Sequence, residues 1–382
     1  MIYMDYHATT PVDPLVVQAM VPYFFEKFGN AASRQHRFGW EAQDAVERAR
    51  GEVAALIGAE AKEIVWTSGA TEANNLALKG LCEVLGSRRN HIVTVATEHK
   101  SVLDSCKRLE QHGCSTTVVP VEPDGTVDLD RLRTAVTDRT AVVSVAAANN
   151  EIGVIAPLAA IGAIAHEQGA LLHTDAVQAL GKVPFDVNAA GVDLASLTAH
   201  KLYGPKGAGA LYVRRKNPRV VVAALIDGGG HERGMRSGTL NVPGIVGFGA
   251  AAGLAAQQMD DEARRLQRLR ERLLEGLRRE VNDLLVNGTL DARLPGNLNI
   301  SFPAVDGEAL LVSLCEDIAL SSGAACTAAE PSHVLKALGR RTELALASLR
   351  FGLGRWTTEE EVDVVVRRVG ETVTRLRAMA PA

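Results

Sequence analysis

Two side chains that follow apolar, strand-like segments have the chemistry of a covalent cofactor site. Lys201 lies just beyond the segment Asp193–Thr198 and is followed by a Gly-Pro-Lys-Gly run. An amine at the end of a buried strand is desolvated, which lowers its pKa and lets it form a Schiff base. Asp175 directly follows another apolar segment, where a carboxylate can keep the ring nitrogen of a pyridine cofactor protonated. Read singly, Lys201 is more typical of a surface lysine, and Asp175 serves equally well as a helix N-cap.

Two loops rich in small residues could bind the phosphate of such a cofactor. The first is Ser68-Gly69-Ala70-Thr71, which opens a predicted helix. Backbone N–H groups at a helix N-terminus bind anions, and Thr71 adds a hydroxyl. The second is Gly228–Thr239, where glycines are combined with histidine and arginine. Each loop has a plainer alternative, a capped tight turn for the first and a flexible loop for the second.

The elements that must position these residues are visible between about residues 60 and 215. Short segments rich in Val, Ile and Thr alternate there with amphipathic helical patterns, which predicts an α/β domain with a mostly parallel sheet between helices. Ligands of such sheets bind beyond the carboxyl ends of the strands, where the residues above lie. Seven strands are predicted: Ile64–Thr67, His91–Val95, Thr116–Val119, Ala141–Ala146, Ala170–Thr174, Asp193–Thr198 and Gly209–Val213.

The rest of the chain predicts a second, smaller α+β domain. Its predicted elements include a long amphipathic helix over Ile245–Glu280, apolar segments at Asn297–Phe302 and Ser348–Gly352, and a final helix over Thr358–Ala378. Helices are also expected near the start, over Leu15–Lys27 and Trp40–Ile57. We therefore predict a large cofactor-binding domain over residues 15–255 and a small domain formed by 1–14 and 256–382.

Composition and charge narrow the class of protein. A formal net charge of −4 gives no electrostatic footprint for nucleic acid or an anionic membrane. The N-terminus has no basic stretch followed by an apolar run, and no apolar run approaches the roughly 20 residues that span a bilayer. The chain has five cysteines, and an odd number without a signal peptide favours reduced thiols and a cytoplasmic location. No two cysteines form a CxxC pair, so no metal site is predicted.

Taken together, these motifs follow one another in the order found in fold-type I enzymes that use pyridoxal 5'-phosphate (PLP). The chain resembles the group I cysteine desulfurases of the NifS/IscS type, within the class V aminotransferases, over nearly its whole length. The resemblance rests on Tyr3–Pro11, Phe28-Gly29-Asn30, Thr67–Asn75, Glu98-His99, Asn149–Gly153, His173–Gln178, His200–Gly207, Gly228–Thr239 and Ser321–Thr327.

The resemblance implies a role for each matching residue. Lys201 is expected to hold PLP as a Schiff base, Asp175 to pair with the pyridine nitrogen, and His99 to stack on the ring and move protons. The substrate-binding residues implied are Arg350, for the carboxylate, Asn150 and, more weakly matched, Asn30. The cofactor-binding set implied is Ala70, Thr71, Asn150, Asp175, Gln178 at the phenolic oxygen, Thr198, His200, Lys201 and Thr239. Thr239 is expected to reach the phosphate of the neighbouring subunit, which implies a homodimer.

Cys326 is the implied nucleophile, in a loop of small residues at Ser321–Pro331. The reaction implied is removal of sulfur from L-cysteine, leaving L-alanine and a persulfide on Cys326 that passes to an acceptor such as an iron–sulfur scaffold or a sulfur carrier. The other cysteines are expected to be small buried hydrophobic residues: Cys82, Cys106, Cys114 and Cys315. A selenocysteine lyase or an aminotransferase of the same class stays as an alternative. Departures from the family pattern include His7, Ala147, Thr198 and a Cys326 loop that looks about two residues shorter.

Overall fold

The computed structural model of the chain describes residues 1–322 and 330–379. Strands are numbered in chain order: β1 Ile2–Tyr3, β2 Ile64–Thr67, β3 His91–Val95, β4 Ser115–Val119, β5 Thr140–Ser144, β6 Leu171–Asp175, β7 Leu194–Thr198, β8 Gly209–Val213, β9 Leu285–Val286, β10 Asn297–Ser301, β11 Ile318–Ala319, β12 Ser321–Ser322 and β13 Ser348–Gly352. The helices are α1 Pro14–Met20, α2 Pro22–Phe25, α3 Arg37–Leu56, α4 Ala70–Leu85, α5 Lys100–Glu110, α6 Leu129–Ala135, α7 Leu158–Glu167, α8 Val242–Glu280, α9 Gly307–Leu314, α10 His333–Ala337, α11 Thr342–Leu346 and α12 Glu359–Met379.

The larger sheet has seven strands in the order β2-β8-β7-β6-β5-β3-β4. All neighbouring pairs are parallel except those of β8, which runs antiparallel to β2 and to β7. The predicted mostly parallel, seven-stranded α/β fold is therefore confirmed. Because β8 is flanked on both sides by antiparallel neighbours, β2 runs in the same direction as β7 and β6. The carboxyl ends of these strands, and the loops that follow them, meet at one edge of the sheet.

The central strands are buried almost along their whole length because helices cover both faces of the sheet. All residues of β5, β7 and β8 are buried. One face packs against α4 and α5, in a cluster that includes Leu76, Leu81 and Val102. The other face packs in a larger cluster with α3, α7 and the first half of α8.

A second apolar core surrounds an antiparallel sheet of order β12-β13-β10-β9. The 39-residue helix α8 contributes to both cores, with Phe248 and Ala252 in the first and Leu269 and Leu273 in the second. This helix joins the two regions without an intervening loop. Four residues near α10 and α11 pack on the first core, namely Val334, Leu335, Leu338 and Ala345. The domain boundaries at residues 15–255 and 256–382 stay a prediction.

The N-terminal helix differs from its expected form. Instead of one helix over Leu15–Lys27, the structure has α1 and α2, which meet at Pro22. Proline has no backbone N–H and clashes with the preceding turn, so it restarts the helix rather than continuing it. Among the described residues, no helix is both long enough and apolar enough to cross a membrane.

Candidate active site

A cavity of about 550 Å³ opens at the carboxyl ends of β2, β6 and β7. This volume lies within the range of roughly 300–1,000 Å³ that is usual for small-molecule sites. Seven of the residues predicted from the sequence line it: Ala70, Thr71, His99, Asp175, Thr198, His200 and Lys201. They come from four separate stretches of the chain, and the sheet brings them together.

Lys201 stands three residues beyond the end of β7 and lines the cavity. Burial lowers the pKa of its amine to about 8, an effect that the carboxylate of Asp175 partly offsets and Arg350 reinforces. A substantial fraction of this amine is therefore neutral near pH 8, whereas an exposed lysine would be almost fully protonated. A neutral amine is the form that can attack a carbonyl carbon.

Asp175 is the last residue of β6 and is buried. Asn74 Nδ2 donates to its Oδ2 over 2.8 Å, and the backbone N–H of Val177 donates to its Oδ1 over 3.1 Å. Asn74 also donates to Ser101 Oγ, at 2.8 Å, so its amide is fixed between α4 and α5. Asp175 is thereby held at the cavity wall with its carboxylate oriented from two sides.

His99 is the N-cap of α5, and its ring Nδ1 accepts from the backbone N–H of Ser101 over 3.1 Å. The same ring nitrogen lies 2.8 Å from Ser101 Oγ. Burial lowers the pKa of His99, although the carboxylate of Asp175 acts in the opposite direction. Because Nδ1 is occupied by the helix cap, Nε2 is the nitrogen left for proton transfer.

The N-terminus of α4 forms the opposite wall of the cavity through Gly69, Ala70 and Thr71. The chain reaches this position because Gly209, at the start of β8, carries no side chain. A Cβ at Gly209 would lie 2.5 Å from the Cα of Gly69. The N-terminus of α4 therefore lies at the cavity, and the free N–H groups at such a helix end are suited to bind an anion.

Thr198 and His200 flank Lys201 in the chain and line the same cavity. The Nδ1 of His200 is 3.1 Å from Thr9 Oγ1, and burial lowers the pKa of His200 to about 4. The ring is therefore neutral at physiological pH. Thr198 Oγ1 donates to the backbone carbonyl of Ala208 over a long 3.4 Å contact.

Gln178 is buried and bonds to partners outside the cavity lining. Its Oε1 lies 3.0 Å from His7 Nδ1 and accepts from Lys182 Nζ over 3.1 Å. Its Nε2 donates to the backbone carbonyl of His7 over 3.0 Å.

Arg350 lies in β13 and is buried. Its Nη2 forms an ion pair with Asp5 Oδ1 at 2.7 Å and donates to Ser321 Oγ, while its Nη1 donates to the carbonyl of Asn150 over 3.2 Å. Its Nε is buried without a partner among the described atoms. The structure thus brings Arg350 and Asn150 into contact, and it shows that the guanidinium already holds a carboxylate.

Five described residues of the predicted site are not in this cavity lining: Asn30, Asn150, Gln178, Thr239 and Arg350. Asn30 and Thr239 are exposed, and Asn30 Oδ1 accepts from the backbone N–H of Ala32. Cys326 lies outside the described residues. Cys82 and Cys106 are buried as expected, whereas Cys114 is only half-buried and Cys315 is exposed at the end of α9. The apolar pattern of α9 stops one residue earlier, at Leu314.

Sequence reasoning missed several residues that support the site, among them Asn74, Ser101, Asp5 and Lys182. One signal was available for Asn74. It is four residues after Ala70 in a helix, so both side chains share a helix face toward the strand ends. The pairing of Asp5 with Arg350 had no local signal.

The chain was compared with known proteins. A model of the family described as aminotransferase class-V matches residues 2–365. The cysteine desulfurase IscS of Anaeromyxobacter sp. (strain Fw109-5) is 61% identical over 382 residues, which is 100% of this chain and 94% of that protein. A solved NifS-like protein superposes with a TM-score of 0.92 at 39% identity, covering 98% of this chain and 100% of that one. A structure of SspA in complex with cysteine gives a TM-score of 0.81 at 34% identity, covering 94% and 100%. This chain therefore belongs to the class-V aminotransferase family, among its cysteine desulfurases.

Proposed function

We propose that this cysteine desulfurase holds PLP on Lys201 and passes the sulfur of L-cysteine to Cys326 as a persulfide. The observation that carries the proposal is the convergence of an amine of lowered pKa, a fixed carboxylate and a helix N-terminus around one cavity. The roles assigned below to single residues are part of this proposal.

The residues of the cavity fit PLP. Lys201 supplies the amine for the aldehyde, and Asp175 supplies the carboxylate for the ring nitrogen. Ala70 and Thr71 at the start of α4, with Thr198 and His200, supply donors for the phosphate. The neutral state of His200 suits a hydrogen bond rather than an ion pair. When bound, PLP supplies an electron sink for the bond electrons of the substrate Cα.

The proton transfers fall to Lys201 and His99. The amine of Lys201, whose pKa is lowered to about 8, would be able to accept the Cα proton of the substrate. His99 lines the same cavity with a neutral ring and an available Nε2, so it can hold or return a proton. The carboxylate of Asp175 stays fixed by Asn74 and the backbone throughout.

Arg350 would bind the substrate carboxylate. Its Nη2 is held by Asp5 and its Nη1 by the Asn150 carbonyl, so the fork is oriented before substrate arrives. Arg350→Lys should raise KM for L-cysteine about tenfold or more, because an ammonium cannot reproduce a bidentate contact. Steady-state kinetics measure this, and an unchanged KM would rule out the role.

In the proposed sulfur transfer, Cys326 is the nucleophile. Its thiolate attacks the sulfur of L-cysteine, so that an S–S bond forms as the Cβ–S bond breaks. The electrons of the broken bond stay with the three-carbon fragment, which takes up protons and leaves as L-alanine. The assignment rests on the Ser321–Thr327 sequence motif, since Cys326 lies outside the described residues.

Two variants test the proposal. Cys326→Ser should abolish sulfide release from L-cysteine while the visible absorption of bound PLP is retained. Lys201→Ala should lose the covalent PLP adduct that borohydride traps in the wild-type protein. Normal turnover by the serine variant would refute the role of Cys326, and covalent PLP on another lysine would refute that of Lys201. A wild-type protein that turns over selenocysteine but not L-cysteine would instead favour a selenocysteine lyase.

The active form is proposed to be a homodimer. Five large side chains near the N-terminus are 49–64% exposed: Phe24, Phe25, Phe28, Phe38 and Trp40. An exposed apolar cluster of this size is typical of an interaction surface. The neighbouring loop, Gly228–Thr239, carries the exposed Thr239, which is proposed to reach the phosphate of the partner subunit.

A mixing experiment tests this sharing. Lys201→Ala and Thr239→Val protomers are each expected to be poorly active alone. In a mixed dimer, one site combines an intact Lys201 with an intact Thr239 from the other protomer, so activity should return. If Thr239 acts within its own subunit, no site in the mixture is complete and activity stays low.

The persulfide is proposed to pass to an acceptor protein, either an iron–sulfur scaffold or a sulfur carrier. The test is to add candidate acceptors one at a time to the purified protein with L-cysteine and to follow alanine release. A true acceptor accelerates turnover, because it regenerates the thiol of Cys326.

A further inference from the structure

Lys182 is a lysine close to the active site that the proposed mechanism does not use. It lies seven residues after the end of β6 and lines a small cavity of about 20 Å³ together with His7 and Glu262. It forms no ion pair within 4.0 Å with any described carboxylate. Its Nζ donates a hydrogen bond to the side chain of Gln178 over 3.1 Å.

This contact fixes which way the amide of Gln178 points. A lysine ammonium has only donors, so the Gln178 atom that faces Lys182 must be the oxygen. The nitrogen then faces the backbone carbonyl of His7 and donates to it over 3.0 Å. A reversed amide would set its oxygen against that carbonyl and its N–H groups against the ammonium, so both neighbours oppose reversal.

In this orientation, one of the two N–H bonds of Gln178 Nε2 is left without an acceptor among the described residues. Gln178 Oε1 receives Lys182 Nζ and lies 3.0 Å from His7 Nδ1, whereas Nε2 has one acceptor among the described residues. The ring of His7 is buried between Gln178 and the Gly296 carbonyl. Burial holds the pKa of His7 well below its usual range, and the nearby charge of Lys182 lowers this pKa further. Because His7 is neutral, Lys182 is the group that carries a positive charge at this position when the pH is below its own pKa of about 7.

We propose that Lys182 is a positioning residue, which holds Gln178 so that an N–H rather than the carbonyl oxygen is presented to the phenolic oxygen of PLP. This rests on the proposed function and on the family resemblance, which implies that Gln178 pairs with that oxygen. A donor there stabilises negative charge on the phenolic oxygen, whereas a carbonyl oxygen would repel it. Lys182 thus acts on the cofactor through another side chain.

The charge of Lys182 adds a second effect. Burial lowers its pKa to about 7, and the charged groups that act on it are Lys201, Glu262 and Arg350. Its charge and that of Lys201 repel each other, so a cation at Lys182 disfavours protonation of the nitrogen of Lys201. The hydrogen bond and the charge can be separated by the choice of variant.

Three variants make the separation. Lys182→Met keeps the length and removes both donor and charge, Lys182→Gln can keep a donor without charge, and Lys182→Arg keeps both. We expect Lys182→Met to weaken PLP binding roughly threefold to tenfold and to raise the pH midpoint of the cofactor's visible absorption band. Lys182→Gln should restore PLP affinity but not the midpoint, and Lys182→Arg should restore both.

Thermal unfolding of the cofactor-free variants distinguishes this role from a structural one. Loss of an ammonium without a carboxylate partner should leave the Tm of Lys182→Met equal to or above that of the wild type. A lowered Tm with wild-type PLP affinity and midpoint would overturn the proposal. A wild-type protein that binds no PLP would instead contradict the proposed function on which it rests.

Discussion

Buried charges are held in opposite ways in two regions of this molecule. In the loop Gly228–Thr239, Glu232 makes a bidentate pair with Arg50, at 2.6 and 2.9 Å, and also accepts from the N–H of Trp66. At the active-site cavity, Lys201 forms no ion pair within 4.0 Å with a described carboxylate. Beside the cavity, next to His99 in the chain, one oxygen of Glu98 is buried without a described partner. The loop pair is fully hydrogen-bonded, whereas burial shifts the pKa values of Lys201 and Glu98 toward their neutral forms. Paired charges fix the architecture, and unpaired ones are available for proton transfer.

Breaking the paired region should have the largest effect on stability. Both partners have side chains only 3% exposed, so Glu232→Gln leaves the guanidinium of Arg50 buried without its counter-charge. Removing one partner of a buried pair typically costs about 3–5 kcal/mol in the free energy of unfolding. Urea unfolding of the cofactor-free protein measures the loss.

The matched control is Glu47→Gln. Glu47 contacts Nε of the same arginine at 3.3 Å, but its side chain is 47% exposed. An exposed partner of this kind contributes about 1 kcal/mol or less. Equal losses in the two variants would mean that burial does not distinguish the contacts, and the comparison of regions would fail.

The pH dependence of stability tests the comparison for the unpaired groups, through the carboxyl group of Glu98. Burial, with the nearby Asp175 carboxylate also acting to raise it, brings the pKa of Glu98 from its ordinary 4.5 to about 8, even though the Ala146 N–H acts to lower it. The folded protein therefore binds a proton here that the unfolded chain releases above pH 4.5. This contribution to stability is complete below about pH 4.5 and is lost as pH rises through 8.

Glu98→Gln removes that titration, because an amide does not ionise. The variant should gain stability relative to the wild type as pH rises from 5 to 8, by at most about 1.4 kcal/mol per pH unit. Unfolding of both proteins in urea at a series of pH values gives the difference. A difference that stays constant across this range would show that Glu98 is ionised in the folded protein.

The part of the site that could be predicted from sequence is the part set by the order of strands. Asp175 and Lys201 follow adjacent parallel strands, so a local pattern and one rule about sheet edges bring them together. Thr71 was predictable for the same reason, because it opens the helix after β2.

Contacts between distant parts of the chain had no such rule. Arg350 pairs with Asp5 across 345 residues, and Gln178 bonds to His7 across 171. Both pairs involve the N-terminal segment, and they depend on where this segment packs in the folded chain, which no local periodicity encodes. The orientation of the Gln178 amide therefore emerges only from the folded structure.

The ion pair between Arg236 and Glu72 is intermediate in exposure, and breaking it is the change for which we predict the smallest effect. Arg236, in the same loop as Glu232, donates from Nε to Glu72 Oε1 over 2.8 Å, and Glu72 Oε2 accepts from the N–H of Ser68 over 2.8 Å. The pair links the loop to the proposed phosphate-binding turn, but its side chains are 20% and 15% exposed.

Arg236→Gln should therefore cost about 1–2 kcal/mol of stability, between the values for an exposed and a buried pair. Because Glu72 also holds Ser68, PLP affinity should fall severalfold as well, as measured by titration of the cofactor-free protein. Arg264→Gln is the control, because the ion pair of Arg264 with Asp261 is exposed and neither residue lines the cavity. A loss of stability without any loss of PLP affinity would show that the loop and the turn are not coupled through this pair. Partial exposure weakens the electrostatic attraction between Arg236 and Glu72, but the hydrogen bonds still orient Glu72 toward Ser68. PLP affinity is therefore expected to be more informative than the free energy of unfolding.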